Sequence, residues 1–135
     1  FGERGSDYNR HNDALVNAAD LKGTAVYLST GTGLAGASDT PGYLKDRLID
    51  KYGVDPDSAS ARALSNAMTL QVEGGVIEAA MNACTHDLMV KMRANDVEVT
   101  HAELRNVGTH SWASWRNDVQ LSFDKVFKKA LGLEQ

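Results

Sequence analysis

His110 lies in the stretch "NVGTHSWASW", Asn106 to Trp115, between Thr109 and Ser111 and just ahead of Trp112 and Trp115. A histidine set in a connecting segment with hydroxyl neighbours is suited to general-base work, in which an imidazole takes the proton of a weak hydroxyl nucleophile. Position alone favours a structural or merely exposed ring. The neighbours strengthen the functional reading: Gly108 permits a sharp turn, and Trp112 is a wall for the ring or a flank for an acyl chain or sugar face. Ser111 reads from its place as the N-cap of a following helix. Trp115 reads as core.

The elements that must hold this segment follow from patterning. "VEVTHAEL", Val97 to Leu104, alternates and predicts a strand ahead of His110, with a helix starting directly after it. Trp112, Trp115, Val119, Phe123, Val126, Phe127 and Ala130 line one face of that last helix. "TAVYLST", Thr24 to Thr30, predicts a strand buried on both faces, because its apolarity is continuous rather than alternating. Asn12 or Asp13 is the expected cap of a short helix before it. A Gly/Ser/Thr-rich loop runs from Thr30 to Gly42. Helices are expected over "YLKDRLIDKYG", ending at Gly53; from a cap at Asp57 or Ser58 to a stop at Gly74–Gly75; and from about Val76 to Ala94. On the last of these, Ile77, Met81, Cys84, Leu88 and Met92 fall at helical spacing and predict a buried stripe, with Cys84 as a small packed residue. Alternation of helix and strand is the pattern of a three-layer α/β protein. Two strands are few against the usual five or six or so, which points to one portion of a larger, mostly parallel sheet.

The bulk properties narrow the function. Hydrophobic residues make up 42% of 135, and the formal net charge is −4. An acidic chain with scattered Lys and Arg is a poor nucleic-acid surface, and no apolar run reaches the length of a membrane span. Cys84 is the single cysteine, so no internal disulfide forms and no cysteine-based zinc site exists. His11, His86 and His101 have no metal-ligand spacing and read as surface or loop residues. The Thr30–Gly42 loop is too dispersed for a phosphate loop. No cofactor is expected. The opening "FGERGSDYNR" has no initiator Met and reads as loop continuing from a longer chain.

"GTHSWASW" resembles the histidine motif of the secreted mycolyltransferases of the antigen 85 type, found in bacteria with mycolic-acid envelopes. "GSDYNRHNDA" and "TAVYLSTGTG" are similar to the family's earlier segments, so the resemblance spans the chain. It implies an α/β-hydrolase fold, of which residues 1–135 are the C-terminal portion and residues 31–70 a loop or helical insertion. It also implies a Ser–Glu–His triad. His110 is then the base. The family's acid lies about 32 residues ahead of the histidine, which falls on Glu78. Without the resemblance, Glu78 is a first-turn carboxylate that complements a helix dipole. Glu73 and Asp39 are the rival acids. Ser111 and Trp112 fall at substrate-contacting positions. The nucleophile is missing: no G-x-S-x-G elbow occurs in the 135 residues. The expectation is an acid and a base without their serine, inactive alone. The serine is expected from an N-terminal half, which is the anticipated partner unless a second copy of the chain takes its place.

The activity implied is transfer of mycolyl chains between trehalose esters or onto arabinogalactan, in a secreted or envelope-bound protein. A carboxylesterase of the same fold with water as acceptor is the enzyme alternative. A non-catalytic secreted α/β module is the alternative outside catalysis. The region from Leu34 to Leu70 is closer to the corynebacterial members of the family, whose substrates carry shorter mycolates.

Overall fold

The structure, a computed structural model, describes residue 3 and residues 5–133. The expected opening loop falls partly on Phe1, Gly2 and Arg4, which lie outside the described residues. From Asp7 the chain is helical instead: α1 spans Asp7–Asn12, capped by the Ser6 hydroxyl, which accepts the Asn9 N–H. No α-helix follows Asn12 or Asp13. Asp13 Oδ1 accepts the Leu15 N–H at 2.8 Å, and Asn17 Nδ2 donates to the carbonyls of Arg10, His11 and Asp13. These local bonds compete with helix formation and turn the chain, leaving a 3₁₀ turn over Ala18–Leu21.

The chain falls into two compact units. The first holds the described residues up to Ser29, Ala83–Glu103 and those from Leu121 on; the second holds Thr30–Asn82 and Leu104–Gln120. Strands β1 (Tyr27–Thr30) and β2 (His101–Leu104) pair as a two-stranded sheet. Val26 O accepts the His101 N–H and Thr30 O accepts the Arg105 N–H, so the strands run parallel. The result is a mixed α/β chain with a small parallel sheet. Both strands are shorter than the patterning predicts, and β1 is half-buried except at Thr30. Tyr27, Leu28 and Ser29 are each only half-buried, so it is not enclosed on both faces. In the first unit the core is Ala18, Val26, Met92 and Val97, against which Leu21, Leu28, Leu88 and Val99 pack.

The second unit begins with a turn at Ala37–Asp39 and helix α2, Pro41–Tyr52. Thr40 caps it, Pro41 opens it, and Gly53 at φ 64° closes it as expected. Helix α3, Pro56–Thr69, packs on α2, burying Ala59, Ala63 and Ala67 at intervals of four. Its cap is Asp55, not Asp57 or Ser58, because Pro56 takes the first helical position and the residue before it must supply the acceptor. The Asp55 carboxylate accepts from Asp57 N–H and Ser58 N–H. Bonds from the Ser58 side chain and then its backbone hold the Asp55 carboxyl below its ordinary range. A depressed carboxyl stabilises the fold above its unfolded pKa and loses that contribution as pH falls through the folded value. Between about pH 5 and pH 3, Asp55→Asn is therefore expected to flatten part of the acid-side fall in thermal midpoint, as melting curves at stepped pH report.

Helix α3 does not stop at Gly74–Gly75. It passes through a π turn, Leu70–Gly74, directly into helix α4, Gly75–Ala94. The predicted stripe on α4 is also corrected. Ile77, Met81 and Cys84 are exposed, Leu88 is half-buried, and Met92 alone is fully buried. The inward line starts instead at Gly74, Gly75, Glu78 and Asn82, the first three of them buried. Polar residues face inward there, so an apolar-periodicity reading selects the wrong line. Helix α5, Trp112–Ser122, begins just after His110 and continues through a π turn to α6, Lys128–Ala130. On its expected apolar face Val126 is buried and Trp115 half-buried, whereas Trp112, Val119, Phe123, Phe127 and Ala130 are exposed. Among the described residues no helix is long and apolar enough to cross a membrane.

Candidate active site

Every residue of the site lies in the second unit. Glycines let its backbones touch. Gly33 sits at φ +86°, and a Cβ there would lie 2.2 Å from the Gly75 carbonyl oxygen; one on Gly31 would lie 2.6 Å from that of Gly108. A Cβ on Gly75 would in turn lie 2.7 Å from the Gly33 carbonyl oxygen, so Gly75 serves close approach rather than helix termination, whereas a Cβ on Gly74 would meet only ordinary contacts. Gly33 N–H donates to Gly108 O, Gly108 N–H donates to Leu34 O, and His110 N–H donates to Gly74 O at 3.2 Å. The segment carrying His110 is thus pinned on one side by residues 33–34 and on the other by the π turn. Such turns recur at functional sites.

Glu78 is 7% exposed and sits between two donors. Gly31 N–H donates to Oε1 at 2.8 Å, and His110 Nδ1 lies 3.2 Å from Oε2, a contact that the tautomer protonated on Nδ1 makes as a hydrogen bond. One turn on, Asn82 Nδ2 donates to Gly31 O at 2.9 Å, so two side chains of α4 clasp the Gly31 backbone. The macrodipole argument for Glu78 does not apply, because α4 continues from helical backbone and has no free N-terminus. The cost of burying the carboxylate is offset by two directed hydrogen bonds.

The His110 side chain is 36% exposed, and Nε2 has no hydrogen-bond partner among the described residues. A carboxylate on Nδ1 fixes that proton and leaves the Nε2 lone pair to accept another, which is the geometry of a general base. The ring of Trp115 stands edge-on to His110, 4.6 Å between centroids, and Trp112 stands edge-on to Trp115 at 5.0 Å. Trp115, read from the sequence as core, is thus the wall of the base. Trp112 is 74% exposed and stands against Trp115 rather than against the histidine. With Trp115, Arg116, Val119 and Gln120 it lines an open, mainly apolar hollow of about 440 Å³.

Ser111 is buried, immediately ahead of α5, and its hydroxyl meets that of Ser114 at 3.4 Å. It is engaged with the start of α5 rather than open to a substrate. Glu73 is exposed. Asp39 is 2% exposed and turned to the same segment, yet its Oδ1 accepts from Thr109 Oγ1, not from the histidine. Arg105, after β2, makes a two-pronged pair with Asp118 on α5, through Nη1 to Oδ1 and through Nη2 to Oδ2 at 3.0 Å. This pair ties down both flanks of the His110 connection. No local pattern marks it in the sequence, since the two residues lie thirteen apart on different elements.

Among the described residues no group of three His, Cys, Asp or Glu side chains is placed to hold a metal ion. No family model matches the chain, and no curated protein matches it.

Proposed function

We propose that this chain supplies the acid and base of a serine acyl-transfer site on an α/β-hydrolase framework. His110 is the base and Glu78 the carboxylate that orients it. The observation that carries the reading is the Glu78–His110 pair, 3.2 Å apart and clamped from behind by Gly31. The serine and the oxyanion donors come from another segment, an N-terminal half of the same protein or a partner chain. In the attack, Nε2 takes the serine proton as the oxygen bonds to the acyl carbon; the imidazolium then returns that proton to the departing alcohol. A sugar hydroxyl repeats these steps in reverse and carries the acyl chain away. The acyl donor in this reading is a trehalose mycolate-like glycolipid, the acceptor trehalose or arabinogalactan, and the setting a secreted or envelope protein. The exposed hollow beside Trp112 and Trp115 suits a sugar face or lipid chain.

The assay is acyl transfer from a radiolabelled trehalose ester by the chain joined to its serine-bearing segment. Labelled ester on fresh trehalose is the expected product. Free acid alone indicates the esterase reading, and no turnover in the fully assembled protein indicates a non-catalytic module. Glu78→Ala is expected to lower the transfer rate by roughly 10⁴-fold, with circular dichroism reporting a retained fold.

A further inference from the structure

The buried carboxylate of Asp39 has no place in the pair just described, yet one of its oxygens does more than its local turn requires. Oδ2 accepts the Gly36 N–H at 2.9 Å and so closes the turn that precedes α2. That bond needs only one oxygen. The other, Oδ1, accepts from Thr109 Oγ1 at 2.9 Å, across 70 residues of sequence. Thr109 is fully buried and directly precedes His110. Among the described residues no cation pairs with Asp39, and both of its side-chain bonds come from neutral donors. A buried carboxyl side chain is costly unless its hydrogen bonds are made, and Asp39 meets that cost with one bond inside its turn and one to Thr109. On its other side, the Asp39 carbonyl accepts from Gln71 Nε2 at 3.4 Å, which links the turn to the same π turn whose Gly74 carbonyl takes the His110 N–H.

The geometry points to Asp39 as a positioning residue for His110, acting through the Thr109 hydroxyl. The inference rests on reading His110 as a base oriented by Glu78. Residues 109 and 110 are held at four points: Asp39 on the Thr109 side chain, Gly74 on the His110 N–H, Ser114 Oγ on the Thr109 carbonyl at 3.5 Å, and Glu78 on the His110 ring. The first three hold the backbone from which the ring projects, and the Ser114 bond is the longest of them. Loss of the Asp39–Thr109 bond lets that backbone drift, and the ring then meets Glu78 only part of the time.

The test reads the ring itself. Two-bond ¹H–¹⁵N spectra of the 135-residue chain, recorded with the ring neutral, show which nitrogen of His110 carries the proton. The expected wild-type result is Nδ1 protonated. Asp39→Ala and the near-isosteric Thr109→Val are each expected to lose that preference, giving averaged nitrogen shifts. Thr109→Ser, which restores the hydroxyl, is expected to return the wild-type spectrum. Asp55→Ala weakens the same unit at a remote cap and is expected to leave the tautomer unchanged, which separates positioning from general destabilisation. Should Asp39→Ala fail to fold, Thr109→Val and Thr109→Ser decide alone. If both Asp39→Ala and Thr109→Val keep the wild-type tautomer while Glu78→Ala loses it, the role of Asp39 is overturned and the base reading survives. If Glu78→Ala leaves the tautomer unchanged, the pair itself is not the orienting contact and both readings fall.

Discussion

Replacing His110 with Ala is expected to cut ester turnover by the serine-bearing protein by roughly 10⁴- to 10⁶-fold, the loss found when a triad member is removed. The ring is partly exposed and lies beside the Glu78 carboxylate, with no partner on Nε2 among the described residues. Without it nothing takes the serine proton. The substitution removes a half-buried side chain and one hydrogen bond, so the fold is expected to persist; the His110 N–H to Gly74 bond is backbone and remains. The measurement is kcat/KM on an activated ester, with the unfolding midpoint measured in parallel. Turnover within tenfold of wild type, in a folded variant, contradicts the role.

Gly33→Ala is expected to have the largest effect on stability. At φ +86° any side chain is strained, by roughly 1–2 kcal/mol. The new Cβ would also overlap the Gly75 carbonyl oxygen at 2.2 Å, with backbone on both sides and no flexible side chain to yield. The sum is expected to reach about 2–4 kcal/mol, read as a fall in the urea midpoint at unchanged slope. Gly53→Ala is the comparison. Gly53 also has a positive φ, 64°, but open space around its Cβ, so about 1 kcal/mol is expected there. Equal losses at the two positions would show that the close approach of residue 33 to α4 is not what the glycine serves.

The two glycines also show how much of the molecule is legible in its sequence. Punctuation by Gly and Pro gave the end of α2 at Gly53, where a glycine in open space closes a helix. The same rule misread Gly74–Gly75, because there Gly75 lets two backbones meet and the helix runs on. A single sequence does not distinguish these uses, since the second depends on Gly33, some forty residues upstream. Periodicity found helix α4 but chose its apolar line, placing Cys84 inside. The inward line is led by Glu78 and Asn82, whose burial is made possible by hydrogen bonds to Gly31. The pairing of Glu78 with His110 was implied by the family resemblance alone; no local pattern in the residues marks it. The roles of Trp115 and Asp39 were not legible. Each depends on which face of a turn meets the His110 segment, and that is set by tertiary contacts rather than by residue type.

The most direct measurement of the central claim is the protonation pattern of the His110 ring in the wild-type chain. With the ring neutral, the account predicts the proton on Nδ1, held by Glu78, and a bare Nε2, with Glu78→Ala erasing that preference. A wild-type ring protonated on Nε2, with Nδ1 bare beside the Glu78 carboxylate, would contradict it.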